Sequence, residues 1–89
     1  MAKRADENQF EIIQKLRSIG VSVQMIHTVG FGCPDAILGW LGKNYLIEIK
    51  TDDGKLDPYQ KKWHDLWKGQ VSVVRTWEEA FNVLGIKIC

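Results

Sequence analysis

The sequence predicts a mixed α/β (α+β) domain in which a central mixed four-stranded sheet is flanked by helices, in the order α-β-β-β-α-β-α. Three observations lead to this prediction: apolar residues that recur at helical spacing, shorter apolar runs typical of strands, and Gly or Pro where one pattern gives way to the next. Because the 89 residues contain no internal repeat, linker or change in composition, we expect a single domain over residues 1–89.

The composition is that of an ordinary globular protein, with 45% hydrophobic and 26% charged residues. It excludes a disordered, collagen-like or low-complexity chain. Early charges from Lys3 to Glu7 are incompatible with a signal peptide, and the longest uncharged stretch, residues 18–34, is too polar and Gly-rich for a membrane span. Two cysteines, Cys33 and Cys89, form neither a disulfide framework nor a four-ligand zinc site. We therefore expect a reduced, cytoplasmic protein with no membrane partner.

The first part of the chain contains a predicted helix, strand and loop. The helix runs from about Asp6 to Ile19, because apolar residues recur at intervals of three and four and Gly20 follows as a stop. Residues 21–27 alternate between apolar and polar side chains, as in a half-buried strand. Two glycines mark residues 28–34 as a loop.

The second part begins with a predicted β-hairpin. Its strands are the apolar runs 36–40 and 45–50, joined by residues 41–44. Asp57 as N-cap and Pro58 at the first helical position then predict a helix to about Lys68. The last predicted elements are a strand over 71–75 and a helix that begins at a T-x-x-E capping box, Thr76–Glu79, and ends near Leu84.

Candidate functional residues concentrate on the predicted hairpin. Asp35 precedes its first strand, and Glu48 and Lys50 share one face of its second strand. A hairpin of this length brings Asp35 and Glu48 together, where like charges repel and resist losing water. A divalent cation relieves both costs. We predict a Mg²⁺ or Mn²⁺ site formed by the two carboxylates and the backbone carbonyl of Ile49.

Such an ion polarises a phosphodiester oxygen and lowers the pKa of a bound water. Lys50 would orient or deprotonate the attacking water, or offset charge on the phosphorane. The structural alternative is that Asp35 is a turn residue and that Glu48 and Lys50 form an ion pair on a half-exposed strand. The apolar density of residues 45–50 predicts a strand that is buried on both faces. Charged residues are rarely buried without a functional or pairing role, so this burial favours the catalytic interpretation.

Two glutamines are candidates for assisting roles. Gln9 falls in the middle of the apolar stripe of the first helix, close to Leu16 in rotation, whereas Asn8 lies at the edge of the stripe. The Gln9 amide is either satisfied in the core or directed towards an active site behind the sheet. Gln60 either completes the capping arrangement with Asp57 or contacts phosphate or the attacking water from the positive end of its helix.

The remaining distinctive side chains are assigned structural roles. Trp63 and Trp67, four residues apart, indicate core or dimer packing more than base stacking. Cys33 is interpreted as a buried thiol, because no base stands at nucleophilic spacing. His64 is expected to face solvent, with a substrate contact as the alternative. The net charge of +1 argues against a large nonspecific phosphate contact, although cation binding by the acids would make the ligand-facing surface more positive.

The succession Cys33-Pro34-Asp35, followed thirteen residues later by Glu48-Ile49-Lys50, resembles the PD-(D/E)xK nuclease superfamily. The order of elements also resembles the core of that superfamily with one added helix. Within it, residues 30–35 and 56–64 look like the small stand-alone VRR-NUC-type or Holliday-junction-resolvase-like nucleases of phages and bacteria. The resemblance extends over about residues 6–85.

This resemblance implies a restriction-endonuclease-like core and a Mg²⁺- or Mn²⁺-dependent DNA endonuclease acting on branched or duplex DNA. It implies that Asp35 and Glu48 bind the metal, that Lys50 is the catalytic lysine and that Gln60 is the glutamine of the following helix. Relatives carry a Glu on the inner face of the first helix, where this chain presents Gln9. The resemblance further implies a homodimer in the cytoplasm of a bacterium or, for a phage-encoded protein, of its host.

Two other functional classes compete with the nuclease. One is a nuclease-like fold that binds DNA or protein without cutting, which the missing inner-face Glu and the modest charge favour. The other is a small interaction domain in which the E-x-K strand is incidental. The intact Asp, Glu and Lys trio favours the nuclease, because mutations in a protein without this activity would first remove a polar cluster that lowers stability.

Overall fold

The computed structural model describes residues 4–88, so Lys3 and Cys89 lie outside the part considered below. Its strands form one mixed sheet in the order β1-β2-β3-β4, in which β3 and β4 are parallel and the other neighbours antiparallel. The predicted class and order of elements are confirmed. The elements are α1 (Ala5–Ser18), β1 (Ser22–Met25), a 3₁₀ helix (His27–Val29), β2 (Ala36–Trp40), β3 (Lys43–Ile49), α2 (Pro58–Leu66), β4 (Ser72–Val74) and α3 (Trp77–Val83).

The sheet has an apolar core on one side and helix α2 on the other. On one side of the sheet, α1 and α3 pack over buried side chains of β2, β3 and β4. The alternate residues of β3 point to the other side, which places Glu48 opposite the core residues Ile47 and Ile49. Helix α2 lies against this second side, where Gln60 reaches Glu48. The core residues are Ile12, Ile13, Leu16, Val21, Ala36, Leu38, Ile47, Ile49, Val74, Ala80, Phe81 and Leu84.

Several elements are shorter or longer than predicted, for local reasons. The connection between β2 and β3 contracts to Leu41 and Gly42, whose φ angles of 51° and 81° give the tight turn that suits twisted strands. Strand β3 consequently begins at Lys43 and not at Tyr45. Helix α2 ends at Leu66, because Trp67 adopts an extended backbone with ψ of 129°.

The buried amide of α1 belongs to Asn8 and not to Gln9. Asn8 is 5% exposed, and its Nδ2 donates to the carbonyl oxygens of Lys50 at 2.9 Å and Arg75 at 3.1 Å. Gln9 is half-buried, and its side chain makes no hydrogen bond to any residue between 4 and 88. The predicted inward position of Gln9 is thus wrong by part of a helical turn. Asn8 ties α1 to the ends of two parallel strands.

Arg75 holds the chain that follows Lys50. Its Nη1 donates to the carbonyls of Thr51, at 2.5 Å, and Gly54, at 2.7 Å. Together with the Asn8 contacts, these bonds satisfy backbone oxygens that a strand end would otherwise leave unpaired. The backbone from Lys50 to Gly54 is thereby fixed.

The predicted capping box of α3 is half correct. Thr76 Oγ1 accepts a hydrogen bond from Glu79 N at 3.1 Å, as predicted. The Glu79 carboxylate, however, accepts from Arg75 N at 2.6 Å and not from the N-cap residue. Between residues 4 and 88, none of the helices is long and apolar enough to cross a membrane.

We predict that Asn8→Ala lowers the free energy of unfolding by about 2 kcal/mol, because it leaves the carbonyls of Lys50 and Arg75 without their donor. Urea denaturation measures the change. Gln14→Ala, at an exposed position of the same helix, is the matched control and is expected to change stability by less than about 0.5 kcal/mol. Equal effects of the two substitutions would show that Asn8 does not clamp the strand ends.

Candidate functional site

Asp35 is held against the end of β3 by two hydrogen bonds. Its backbone N–H donates to the carbonyl of Ile47 at 3.1 Å, and its Oδ2 accepts from the backbone N–H of Ile49 at 2.7 Å. The register pairs Ala36 with Ile47, so the preceding Asp35 lies beside Glu48. Two carboxylates that are thirteen residues apart in sequence therefore meet at one end of the hairpin.

Glu48 is the most unusual residue of the site. It is 1% exposed, although carboxylates are almost never fully buried without partners. Its Oε2 accepts from Gln60 Nε2 at 3.3 Å and lies 3.9 Å from Lys50 Nζ. Its Oε1 is buried and has no hydrogen-bond partner in the described chain. A buried carboxylate oxygen without a partner is costly, so this atom requires a proton or a cation.

Burial raises the pKa of Glu48 from its ordinary value of 4.5 to about 8. The neighbouring Asp35 carboxylate adds to the effect, because it favours a shared proton and repels a second negative charge; Asp57 also contributes. The Lys50 ammonium opposes the shift and is too weak to cancel it. In the absence of a cation, the Asp35–Glu48 pair therefore retains a proton at neutral pH.

Gln60 belongs both to the cap of α2 and to the site. Its backbone N–H donates to Asp57 Oδ1 at 2.9 Å, and its Oε1 accepts from Asp57 N at 2.9 Å, so the predicted cap is present. The same side chain donates from Nε2 to Glu48. Because the cap holds the oxygen end of the amide, the nitrogen end is directed at the carboxylate. The two interpretations of Gln60 are compatible; its contact with a phosphate is a prediction.

Lys50 provides the positive charge of the site. It follows β3 directly, its backbone N–H donates to the carbonyl of Val74 at 3.0 Å, and its side chain is 18% exposed. Its Nζ lies within ion-pair distance of Glu48 and can still reach solvent. This position allows the ammonium to meet a ligand from outside while it remains beside the carboxylates.

The loop before Asp35 packs tightly on the start of α2. Gly32 has φ of +83°, and a Cβ at this position would lie 2.2 Å from the backbone oxygen of Tyr59. Only glycine permits this approach without displacing the backbone. The adjoining Cys33 is a half-buried free thiol whose pKa is raised by burial and by the charges of Glu48 and Asp35. A thiol held protonated in this way is a poor nucleophile.

The inner face of α2 carries Gln60, Trp63 and His64, which are half-buried, whereas the other residues of the helix are exposed. The expectation that His64 faces solvent is wrong, since its Nε2 is buried and has no hydrogen-bond partner within the described chain. Burial lowers the pKa of the imidazole. Trp63 and Trp67 stack at 4.6 Å between ring centroids, and Trp67 is 45% exposed, so this pair is not core packing.

The oxygen donors fit a hard divalent cation. Asp35 and Glu48 provide carboxylates, and the unpartnered Oε1 of Glu48 is the atom that a cation would relieve. The N–H of Ile49 points to Asp35, and the N–H and C=O of one strand residue share an edge, so the Ile49 carbonyl faces the same side. Within residues 4–88 no group of three or more His, Cys, Asp or Glu side chains could hold a metal. A bound ion would therefore depend on the carbonyl and on waters as well as on the two acids.

Comparisons with known proteins gave no match to a family model, to a curated protein or to a solved structure. The functional assignment consequently depends on the geometry of the site. The sequence patterns misplaced two residues of this region: the inward amide is Asn8 and not Gln9, and His64 is half-buried where a solvent-facing position was expected. Asn8 is at the edge of a predicted stripe, and the burial of His64 depends on how α2 lies over the sheet.

We predict that stability falls with pH because of Glu48. The pKa of Glu48 is higher in the folded protein than its ordinary value of 4.5. Protonated Glu48 therefore stabilises the fold fully at low pH, and this contribution is lost as the pH rises through about 8. In EDTA, Glu48 should therefore lower the free energy of unfolding from pH 5 to pH 8, by up to about 1.4 kcal/mol per pH unit for one proton. His64, whose pKa is lowered by burial, contributes with the opposite sign below its ordinary pKa, so the effect of Glu48 is the difference between the slopes of the wild type and Glu48→Gln.

Glu48→Gln removes the titrating group and should flatten this slope, so that the variant is more stable than the wild type above pH 8. Denaturant titrations across the pH range measure the effect. Glu78→Gln, at an exposed position, is the control and should retain the wild-type slope. An unchanged slope in Glu48→Gln would mean that this carboxyl group does not hold the proton.

Proposed function

We propose that this protein is a Mg²⁺- or Mn²⁺-dependent endodeoxyribonuclease that hydrolyses phosphodiester bonds of branched or duplex DNA. The observation that carries the proposal is the Asp35–Glu48 pair, in which a carboxylate oxygen is buried without a partner and Lys50 lies alongside. These residues resemble the PD-(D/E)xK pattern. This resemblance, and the restriction-endonuclease-like core that it implies, supports the same assignment. A cluster that costs stability and serves no packing purpose is typical of functional sites.

Asp35, Glu48 and the Ile49 carbonyl would hold the metal. The bound ion supplies a Lewis acid for the phosphoryl oxygen and a water of lowered pKa. The proton retained by the carboxylate pair must leave before the oxygens can bind a cation. Metal affinity should therefore increase as the pH approaches the pKa of Glu48 near 8.

Lys50 would act on the nucleophile and on the transition state. Its partly exposed side chain lies on the Glu48 side of the sheet, where the ammonium would orient the attacking water and offset negative charge at phosphorus. Asn8 fixes the carbonyl of Lys50 and Arg75 fixes that of Thr51, which limits how far the ammonium moves. Gln60 would assist by orienting Glu48. The assisting role of Gln9 stays a prediction.

The resemblance also suggests a homodimer that acts in the cytoplasm of a bacterium or of a phage host. The exposed Leu66 and the stacked Trp63 and Trp67 provide apolar surface on α2 for a second copy. A junction-resolving activity would require such a pair, since two opposed strands must be cut.

A module that binds DNA or protein without cutting is the second candidate. The observation that favours it is the small number of acids: two carboxylates meet, and the inner face of α1 contributes the amide of Asn8 in place of an acid. A binder of this kind would show salt-sensitive DNA affinity that Asp35→Ala leaves unchanged.

We predict metal-dependent cleavage of supercoiled plasmid or of a synthetic four-way junction with Mg²⁺ or Mn²⁺, and none in EDTA. Asp35→Asn and Glu48→Gln should abolish cleavage, and Lys50→Met should reduce the rate at least about 100-fold. Lys43→Met, at an exposed position at the other end of β3, is the matched control and should remain within a few-fold of the wild type. Gel assays with both substrates measure the rates.

Cleavage that persists in EDTA or in Asp35→Asn would contradict the proposed mechanism. Failure to cut either DNA with either metal would favour the binding module. Salt-dependent DNA affinity would then decide whether DNA is a ligand at all.

A further inference from the structure

His64 has a buried polar atom that the fold does not use. Its Nε2 has no hydrogen-bond partner among residues 4–88, although the ring is half-buried on the inner face of α2. Buried side-chain nitrogens nearly always have a partner, so this atom requires an explanation. One edge-to-face contact, with Trp63 at 6.0 Å between ring centroids, restricts the ring and leaves the nitrogen unsatisfied.

The position of His64 links it to the carboxylate site. It lies four residues after Gln60, hence on the same side of α2 and one turn further along. Gln60 itself donates to Glu48 at 3.3 Å. Burial lowers the pKa of His64, the Asp65 carboxylate opposes the shift, and the Lys50 ammonium is close enough to add to it. The helical spacing from Gln60 and the nearby Lys50 charge therefore place the imidazole on the Glu48 side of the sheet.

A role as metal ligand does not suit this residue. Within the described chain His64 forms no group with two other His, Cys, Asp or Glu side chains that could hold an ion. A partner from outside the chain is left. The Asp65 carboxylate also acts on the ring, but it is exposed and paired with Lys61 at 3.8 Å, so the Lys50 ammonium favours an anion as that partner. Burial keeps the imidazole neutral, so it can offer one N–H as a directional donor.

We infer that His64 is a substrate-binding residue whose Nε2 donates a hydrogen bond to a non-bridging oxygen of the phosphodiester held at Asp35, Glu48 and Lys50. The inference rests on the proposed function, because it takes the substrate to be a nucleic-acid phosphodiester. The phosphate would contact both Lys50 and His64, and the Nε2 atom, which is buried in the free protein, would become accessible to it on binding. Helix α2 then contributes to substrate binding as well as to the orientation of Glu48.

Three single variants test this role. His64→Asn removes the donor at the Nε2 position, and we expect kcat/KM for DNA cleavage to fall about 10- to 100-fold. His64→Gln places an amide nitrogen near the position of Nε2 and should restore most of the activity. His27→Asn, at an exposed position on the 3₁₀ helix, is the control and should leave cleavage unchanged. Thermal unfolding shows whether each variant is folded.

A spectroscopic measurement follows the imidazole itself. The chain has two His residues, so ¹⁵N-imidazole spectra contain two spin systems, which His27→Asn assigns. The probe is a short DNA duplex or four-way junction with Ca²⁺ in place of Mg²⁺, with integrity of the DNA checked on a gel. Bound DNA should shift the Nε2 resonance of His64 and leave that of His27 in place.

The outcomes separate the two proposals. Normal cleavage by His64→Asn, or a His64 resonance that does not move when DNA saturates the protein, overturns the inference and leaves the nuclease proposal intact. A shifted His64 resonance without cleavage in any metal supports the contact and rejects the nuclease. Absence of both DNA binding and cleavage by the wild type rejects both.

Discussion

The burial of the Glu48 carboxylate beside Asp35 is the constraint on which the rest of the site depends. The alternation of β3 turns Glu48 away from the apolar core and into the space under α2, and the hairpin register puts Asp35 next to it. Burial removes water from the carboxylate and the neighbouring Asp35 adds to the effect, which is why the pKa of Glu48 rises to about 8. A proton satisfies the pair at neutral pH, and a divalent cation would replace it.

The surrounding chain holds this pair in a fixed geometry. Asn8 donates hydrogen bonds at the ends of β3 and β4, and Arg75 donates to the turn after Lys50. The Asp57 cap orients the amide of Gln60 towards Glu48. These are hydrogen bonds to backbone atoms or within a cap, so they restrain the backbone as well as the side chains. A site built in this way needs little reorganisation when a ligand binds, which is what positioning for catalysis requires.

Local patterns predicted the parts of the molecule that depend on local chemistry. The limits of β2, and the start of α2 at Asp57 and Pro58, follow from short-range signals and are correct. The hairpin connection, predicted over residues 41–44, is confined to Leu41 and Gly42, and this length was not predicted because leucine seldom adopts positive φ. The proximity of Asp35 and Glu48 followed from the length of a hairpin, whereas the burial of Asn8 and His64 depends on how helices rotate and pack, which no local pattern encodes.

Titration of the protein with Mn²⁺, followed by the loss of the free-ion signal in electron paramagnetic resonance, shows whether the carboxylate pair is a cation site. We expect saturable binding of one Mn²⁺ per chain, tighter at pH 8.5 than at pH 6 and accompanied by proton release. Binding should be lost in Glu48→Gln and retained in Glu78→Gln. Binding that is absent at both pH values, or unchanged in Glu48→Gln, would contradict the assignment of a cation site.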